Sequence, residues 1–202
     1  MSDGWHFGIL QDGPPAGPGR PLIVKVGGSL LVRPRWPEVI AALLAATPGP
    51  RLLVVGGGPV VDGLRSIDAA APRSATAMHW RAIEALGITA RLVAGAVGLA
   101  VVESPGTEHT AVLDASRWLP VTAPLPEGWH VTSDSIAAAV AARVGGGLLL
   151  AKSVPPPVGD LMELAATGWI DRHFPEVAAA AGRISWAAPA SPTPSDRPAA
   201  GR

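Results

Sequence analysis

Leu22-Ile23-Val24-Lys25-Val26-Gly27-Gly28 and Arg51-Leu52-Leu53-Val54-Val55-Gly56-Gly57-Gly58-Pro59 are written on one plan, a short apolar run that empties into glycines. Runs of this length, rich in Val, Ile and Leu and closed by a breaker, predict buried strands entering tight turns. Each is followed by an apolar stripe at helical spacing. Val39, Ile40, Leu43 and Leu44 follow the first within 37–46, with Pro37 in the first turn, and Val60, Val61, Leu64 and Ile67 follow the second. Strand, glycine turn and helix repeated in this order predict an α/β fold, a three-layer αβα sandwich with a mainly parallel central sheet.

Outward from this core, Thr132-Ser133-Asp134 precedes Ile136, Ala137, Val140, Ala141 and Val144, so a helix is expected with Ser133 or Asp134 as its cap and Gly145 as its stop. Leu148-Leu149-Leu150-Ala151 reads as a further buried strand. Thr76 to Leu86 reads as a helix stopped by Gly87, while 91–102 and 111–119 read as strands or hairpin arms. Short helices are expected over 160–166 and 175–181, with a last edge strand over 183–186. The Pro- and Gly-rich ends set the expected boundaries: a flexible segment over 1–21, one domain over 22–186, and a disordered Pro/Ala-rich tail over 187–202.

Composition narrows the function. Sixteen Lys and Arg balance sixteen Asp and Glu in 202 residues, so the basic field needed for non-specific nucleic-acid binding or for a polybasic membrane contact is missing. The chain has no Cys, which removes disulfides, zinc-thiolate sites and a thiol nucleophile. The apolar stretch 136–151 is crossed by Arg143 and three glycines, short of a membrane span. No basic leader with a sustained apolar stretch opens the chain, and a cytoplasmic location is the expectation.

Glycine turns after strands let backbone N–H groups approach an anion while a helix N-terminus adds a favourable dipole. Lys25 stands two residues before Gly27, a compact positive charge beside such a cradle and costly at an apolar strand end unless it meets an anion. Neither turn is a Walker A loop, and Gly56-x-Gly58 lacks the third glycine of a dinucleotide fingerprint. His79 and His130 have no partner at metal-ligand spacing, so no metal site is expected.

Val24-Lys25-Val26-Gly27-Gly28-Ser29, Val54-Val55-Gly56-Gly57-Gly58-Pro59 and Ser133-Asp134-Ser135-Ile136-Ala137-Ala138 together, and in this order, resemble the amino acid kinase superfamily. That resemblance implies transfer of the γ-phosphoryl group of ATP, with Mg2+, to a carboxylate or phosphate. Lys25 would neutralise the transferred group and Asp134 would orient the lysines as the catalytic pair. Gly27, Gly28, Ser29 and Lys152 would meet the nucleotide. Gly57, Gly58, His79, Arg81 and Ser133 would meet the acceptor.

Within the superfamily, His79-Trp80-Arg81-Ala82-Ile83, the run 129–138, Leu150-Ala151-Lys152-Ser153-Val154 and Gly168-Trp169-Ile170-Asp171 followed by Phe174 are similar to one subgroup. This is the 5-(aminomethyl)-3-furanmethanol phosphate kinase subgroup of methanofuran and methylofuran biosynthesis, in one-carbon metabolism. It implies a small phosphate ester as partner, converted to its diphosphate, and a homo-oligomer. Carboxylate or uridylate phosphorylation, or oxoanion binding without turnover, are the alternatives that the wider superfamily implies. The chain departs from other members at Val154-Pro155-Pro156-Pro157, where they carry a Val-Asp-Gly turn.

Overall fold

The computed structural model describes residues 4–14, 19–106, 109–122 and 125–190. Seven strands form one sheet: β1 (Trp5–Gln11), β2 (Leu22–Val26), β3 (Arg51–Val55), β4 (Ala100–Val102), β5 (Ala111–Leu113), β6 (Leu148–Ala151) and β7 (Ile184–Pro189). Their spatial order is β1-β7-β6-β2-β3-β5-β4, and every neighbouring pair is parallel except β1 with β7. The helices are α1 (Trp36–Ala46), α2 (Gly58–Ala70), α3 (Ala75–Val97), α4 (Ala115–Thr122), α5 (Ser133–Val144), α6 (Leu161–Ala166) and α7 (Phe174–Ala178), with a 3₁₀ turn over Gly28–Val32. The expected mainly parallel sandwich is what forms. Central β2 is paired on one side with β3 and on the other with β6, which places a topological switch point at the carboxyl end of β2.

Strand alternation divides the core between two faces. Ile23, Leu52, Val54, Leu148 and Leu150 lie against α5 and its neighbours, with Ile136, Ala137, Val140 and Ala141 opposite them. Val24, Val26, Leu53, Val55, Leu149 and Ala151 lie on the other face, under Leu30 of the 3₁₀ turn and Ile40 and Leu43 of α1. By the same alternation Lys25 shares a side with Ile23, and Lys152, one residue past β6, shares a side with Leu150. Both lysines therefore face α5.

Several expectations are corrected. The helix expected to stop at Gly87 continues to Val97 and ends in Gly98, in the left-handed region at φ 70°. Gly87 is a packing glycine: a Cβ there would stand 2.8 Å from Asp114 Oδ1, so its missing side chain lets α3 lie against the end of β5. The strand expected over 91–102 thus shrinks to β4, and that over 111–119 to β5, because Asp114 turns the chain into α4 by accepting from Ser116 N at 3.0 Å.

The segment 1–21, expected to be flexible, contains β1, whose register runs Trp5↔Pro189 to Gln11↔Ile184. β7 is consequently an internal strand, between β6 and β1, and it extends through the buried Ala187 and Ala188 of the expected tail. The remainder of that tail, from 191 on, lies outside the described residues. Isolated Pro/Ala-rich composition conceals this pairing because the partners stand at opposite ends of the chain.

A test of the α3 packing follows. Gly87→Val should lower the melting temperature by about 5 °C or more, as overpacking costs about 1–3 kcal/mol. Gly95→Ala, where a Cβ would meet nothing within 4 Å, should leave it unchanged or raise it by helix propensity. Thermal melts by circular dichroism check both.

Candidate active site

The first turn of α5 places a carboxylate where the two lysines arrive. Lys25 Nζ lies 2.8 Å from Asp134 Oδ1, and Lys152 Nζ lies 2.7 Å from Asp134 Oδ2. Lys25 and Asp134 are only 5% and 4% exposed, so this pair of contacts is made in a poorly solvated setting. Burial on its own would push the Asp134 carboxyl up, but the ammoniums of Lys25 and Lys152 outweigh it and bring it down to about 2. For Lys152, burial and then the charge of Lys25 outweigh the attraction of Asp134 and pull the ammonium down to about 8. Lys152 is further fixed by donating to Trp169 O at 2.7 Å, with its Nζ 5.0 Å from the Trp169 ring centroid.

The α5 terminus is held by residues that the capping pattern does not reveal. The N-cap is Thr132, whose hydroxyl accepts from Asp134 N at 3.3 Å, and not Ser133 or Asp134. Asp134 is thereby released from capping and turned to the lysines. Asp171 then ties this turn to the 168–174 segment. It accepts from Thr132 N at 3.0 Å, Thr132 Oγ1 at 2.8 Å, Ser135 N at 3.0 Å, Ser135 Oγ at 2.6 Å and Phe174 N at 2.9 Å. Asp171 and Trp169 are thus positioning residues for Asp134 and Lys152, supplied by one short segment.

Beside the charges, the two glycine turns touch. A Cβ on Gly28 would fall 2.5 Å from Gly58 Cα, and one on Gly58, whose φ is 49°, would fall 2.6 Å from Gly28 O. Only glycine lets the backbones meet so closely. The first turns of the 3₁₀ segment and of α2 leave N–H groups of Gly28, Ser29 and Gly58 without intrahelical partners, which suits an anion. Gly27 differs: its N–H donates to Ala151 O at 2.8 Å, so it shapes the loop and is not a free donor. Ser29 Oγ is 2.9 Å from Ser153 Oγ, bridging the loops after β2 and β6.

A cavity of about 160 Å³ opens beside the glycine turns, lined by Gly28, Gly56, Gly57, His79, Ser133 and Trp129 among others. His79 and Ser133 are brought to it as expected. Arg81 is not: 63% exposed, it holds both Glu84 oxygens at 2.6 and 2.7 Å on the outer face of α3. The guanidinium that does line the cavity belongs to Arg65 of α2, 5.2 Å from the Trp129 ring centroid. Sequence reading passed over it because it sits two turns into α2, away from any motif. Among the described residues no cluster of His, Asp or Glu could by itself hold a metal ion, and no helix is long and apolar enough to cross a membrane.

No family model and no curated protein sequence matches the chain. Solved structures do. Uridylate kinase from Archaeoglobus fulgidus superposes with a TM-score of 0.59 at 16% identity, over 83% of this chain and 90% of that one. UMP kinase from Ureaplasma parvum gives 0.57 at 15% identity, over 80% and 84%. At these identities the likeness establishes the fold, the amino acid kinase type of αβα sandwich that the sequence motifs led one to expect.

The ion triad generates a test by charge removal. Asp134→Asn leaves two buried ammoniums without a counter-charge and should destabilise the chain by about 3–5 kcal/mol, the scale of breaking a buried pair. Adding Lys152→Met should recover part of that loss in urea titrations. Because burial and Lys25 pull Lys152 down to about 8, binding of an added anion such as inorganic pyrophosphate should weaken as pH rises through that value. Lys152→Arg, charged throughout, should stay flat to about pH 10 in the same calorimetric titrations.

Proposed function

We propose that this chain is a small-molecule phosphotransferase that moves the γ-phosphoryl group of MgATP to an acceptor phosphate, converting an aminomethylfuran-methyl phosphate to its diphosphate. The observation that carries this reading is the buried Lys25–Asp134–Lys152 triad beside two glycine turns in mutual contact. Phosphoryl transfer requires little covalent help from a protein and depends on positioning and on neutralising charge in the transition state. An acceptor phosphate oxygen attacks Pγ in line, the bond from Pγ to the β-bridging oxygen breaks, and ADP leaves with that electron pair. No general base is needed, since the attacking oxygen is already anionic.

In this scheme Lys25 stands between donor and acceptor and meets the equatorial oxygens of the group in flight. Gly28 and Ser29 donate backbone N–H groups on the nucleotide side, with Lys152 reaching the donor phosphates. Gly57, Gly58 and Ser133 face the acceptor phosphate. Asp134 holds both ammoniums at fixed separation, so no reorganisation is needed when negative charge builds up. Mg2+ enters with the nucleotide as part of the substrate, because Asp134 is committed to the lysines and Asp171 to the first turn of α5. Small-molecule chemistry of this kind suits the neutral charge balance, and the cytoplasm and a homo-oligomeric state belong to the same reading.

Turnover tests it. ADP release should be seen with aminomethylfuran-methyl phosphate in preference to UMP, aspartate or acetylglutamate. Lys25→Ala should cut turnover about 10²-fold or more with the fold retained. Preference for UMP or a carboxylate would keep the kinase and replace its acceptor. Binding of ATP or an oxoanion with no turnover of any acceptor would favour an anion-binding protein on this fold.

A further inference from the structure

β1 stands at the end of the sheet, with β7 on one side and no strand on the other among the described residues. Its neighbours reveal which of its backbone groups face outward. Ala190 N donates to Gly4 O at 2.7 Å directly across the pair, so Gly4, His6 and Gly8 turn their N–H and C=O groups toward β7. Trp5, Phe7 and Ile9 stand opposite Pro189, Ala187 and Ser185. Pro189 has no N–H, and Ala187 O is turned to β6, where it accepts from Lys152 N at 2.9 Å. The backbone groups of Trp5, Phe7 and Ile9 therefore point to the open edge, and the side chains of Phe7 and Ile9 are 47% and 57% exposed on one face. Sheet edges are ordinarily defended by charge, proline or shortness. The opposite edge, β4, is three residues long, whereas β1, Trp-His-Phe-Gly-Ile-Leu-Gln, has seven residues, none of them charged and none proline.

We propose that β1 pairs antiparallel with β1 of a second copy of this chain, about a two-fold axis at Phe7, so that the two sheets become one. The proposal names an interface and is independent of the kinase reading. In this register Phe7 meets Phe7 of the second copy, and Trp5 meets its Ile9 on either side of the axis. Every outward-facing residue then exchanges backbone hydrogen bonds with another outward-facing residue, and the opposed side chains share a face, where aromatic and β-branched pairs stabilise a sheet. A shift of register in either direction sets at least one of the three against a residue outside the set. Residues 4–10 pair with 10–4, all of them uncharged, so no like charges are opposed. On the reverse face Trp186 lies over Gly8, where a Cβ would collide with the indole, and fills the gap beside His6 of the second copy. The chain's own continuation is a poorer occupant. It leaves the sheet at Ala190 beside Gly4, but Pro192, Pro194 and Pro198 have no N–H to give a ladder. Antiparallel pairing reverses strand direction at the junction, so the two Lys25–Asp134–Lys152 clusters open at opposite ends of the joined sheet and neither completes the other.

Sedimentation velocity on the full chain should give twice the 20.5 kDa chain mass. Phe7→Lys, which sets two ammoniums across the axis, should weaken association by about 100-fold or more, with native circular dichroism because the replaced side chain is half exposed. Hydrogen exchange of the wild type needs no variant: the Phe7 and Ile9 amides should be protected at high concentration and lose that protection on dilution. Register is read by cross-linking, since the chain has no thiol of its own. Phe7→Cys, about 5.5 Å between Cα atoms across the axis, should link to its copy through a short bismaleimide. Ile9→Cys, about 14 Å from its counterpart, should not. A monomer at every concentration, association unchanged by Phe7→Lys, or linkage at position 9 without linkage at position 7 would overturn the proposal. Protection of the Phe7 and Ile9 amides in a monomer, independent of concentration, would assign the edge to the chain's own segment from 191 on and would overturn it as well.

Discussion

The site depends on a single carboxylate held between two ammoniums. Lys25 and Lys152 leave neighbouring parallel strands on the same face of the sheet, and without Asp134 their charges would face each other in a setting with little water. One buried carboxylate meeting two lysines leaves the cluster with a net positive charge. That surplus is the reason to expect an anionic ligand, because the arrangement is compensated within itself only in part. The depressed proton affinity of Lys152 is the same imbalance seen from the side of the lysine.

Such a cluster is useful only if it does not relax, and the surrounding structure prevents that. Asp171 accepts backbone and hydroxyl donors from the first turn of α5, while the neighbouring Trp169 carbonyl receives Lys152. The 168–174 segment therefore fixes both the carboxylate and one of its lysines. On the other flank, the glycine turns after β2 and β3 are in contact because neither carries a Cβ at the crossing. The separation between these two turns is thus set by backbone packing, which is stiffer than any side-chain arrangement.

The long α3 connects this centre to the neighbouring cavity. Its first half contributes Ile83 and Leu86 to the core under α5, and its second half contributes Ala90, Val93 and Ala94 to the opposite core. One helix thereby spans both layers at the edge of the sheet, and His79 is carried into the cavity on a rigid element instead of a loop. Trp129, which lines the cavity, donates to Asp68, and Trp80, the neighbour of His79, donates to Glu127.

The local pattern of the sequence determined the central half of this protein. The apolar runs ending in glycine at 22–28 and 51–58 are strands entering turns, as their pattern predicts, while the pairing of β2 with β6 in register puts Lys25 and Lys152 on one side of the sheet. The motifs therefore led to Lys25, Asp134, Lys152 and the glycine turns without coordinates. Tertiary structure decided what depends on neighbours remote in the chain. Gly87 reads as a helix stop, yet it is a contact with Asp114 that no local window contains. Trp5–Gln11 is a strand because the far end of the chain offers it an edge. Thr132 caps α5 because Asp171 completes the turn, which frees Asp134 for the lysines. Arg65, not Arg81, reaches the cavity because α2 and α3 cross with particular faces inward, and helical spacing by itself cannot say which face meets the site. Periodicity fixes what a segment becomes and which side is apolar. Which polar groups converge is a property of packing between segments, where the energies of burial and pairing are settled.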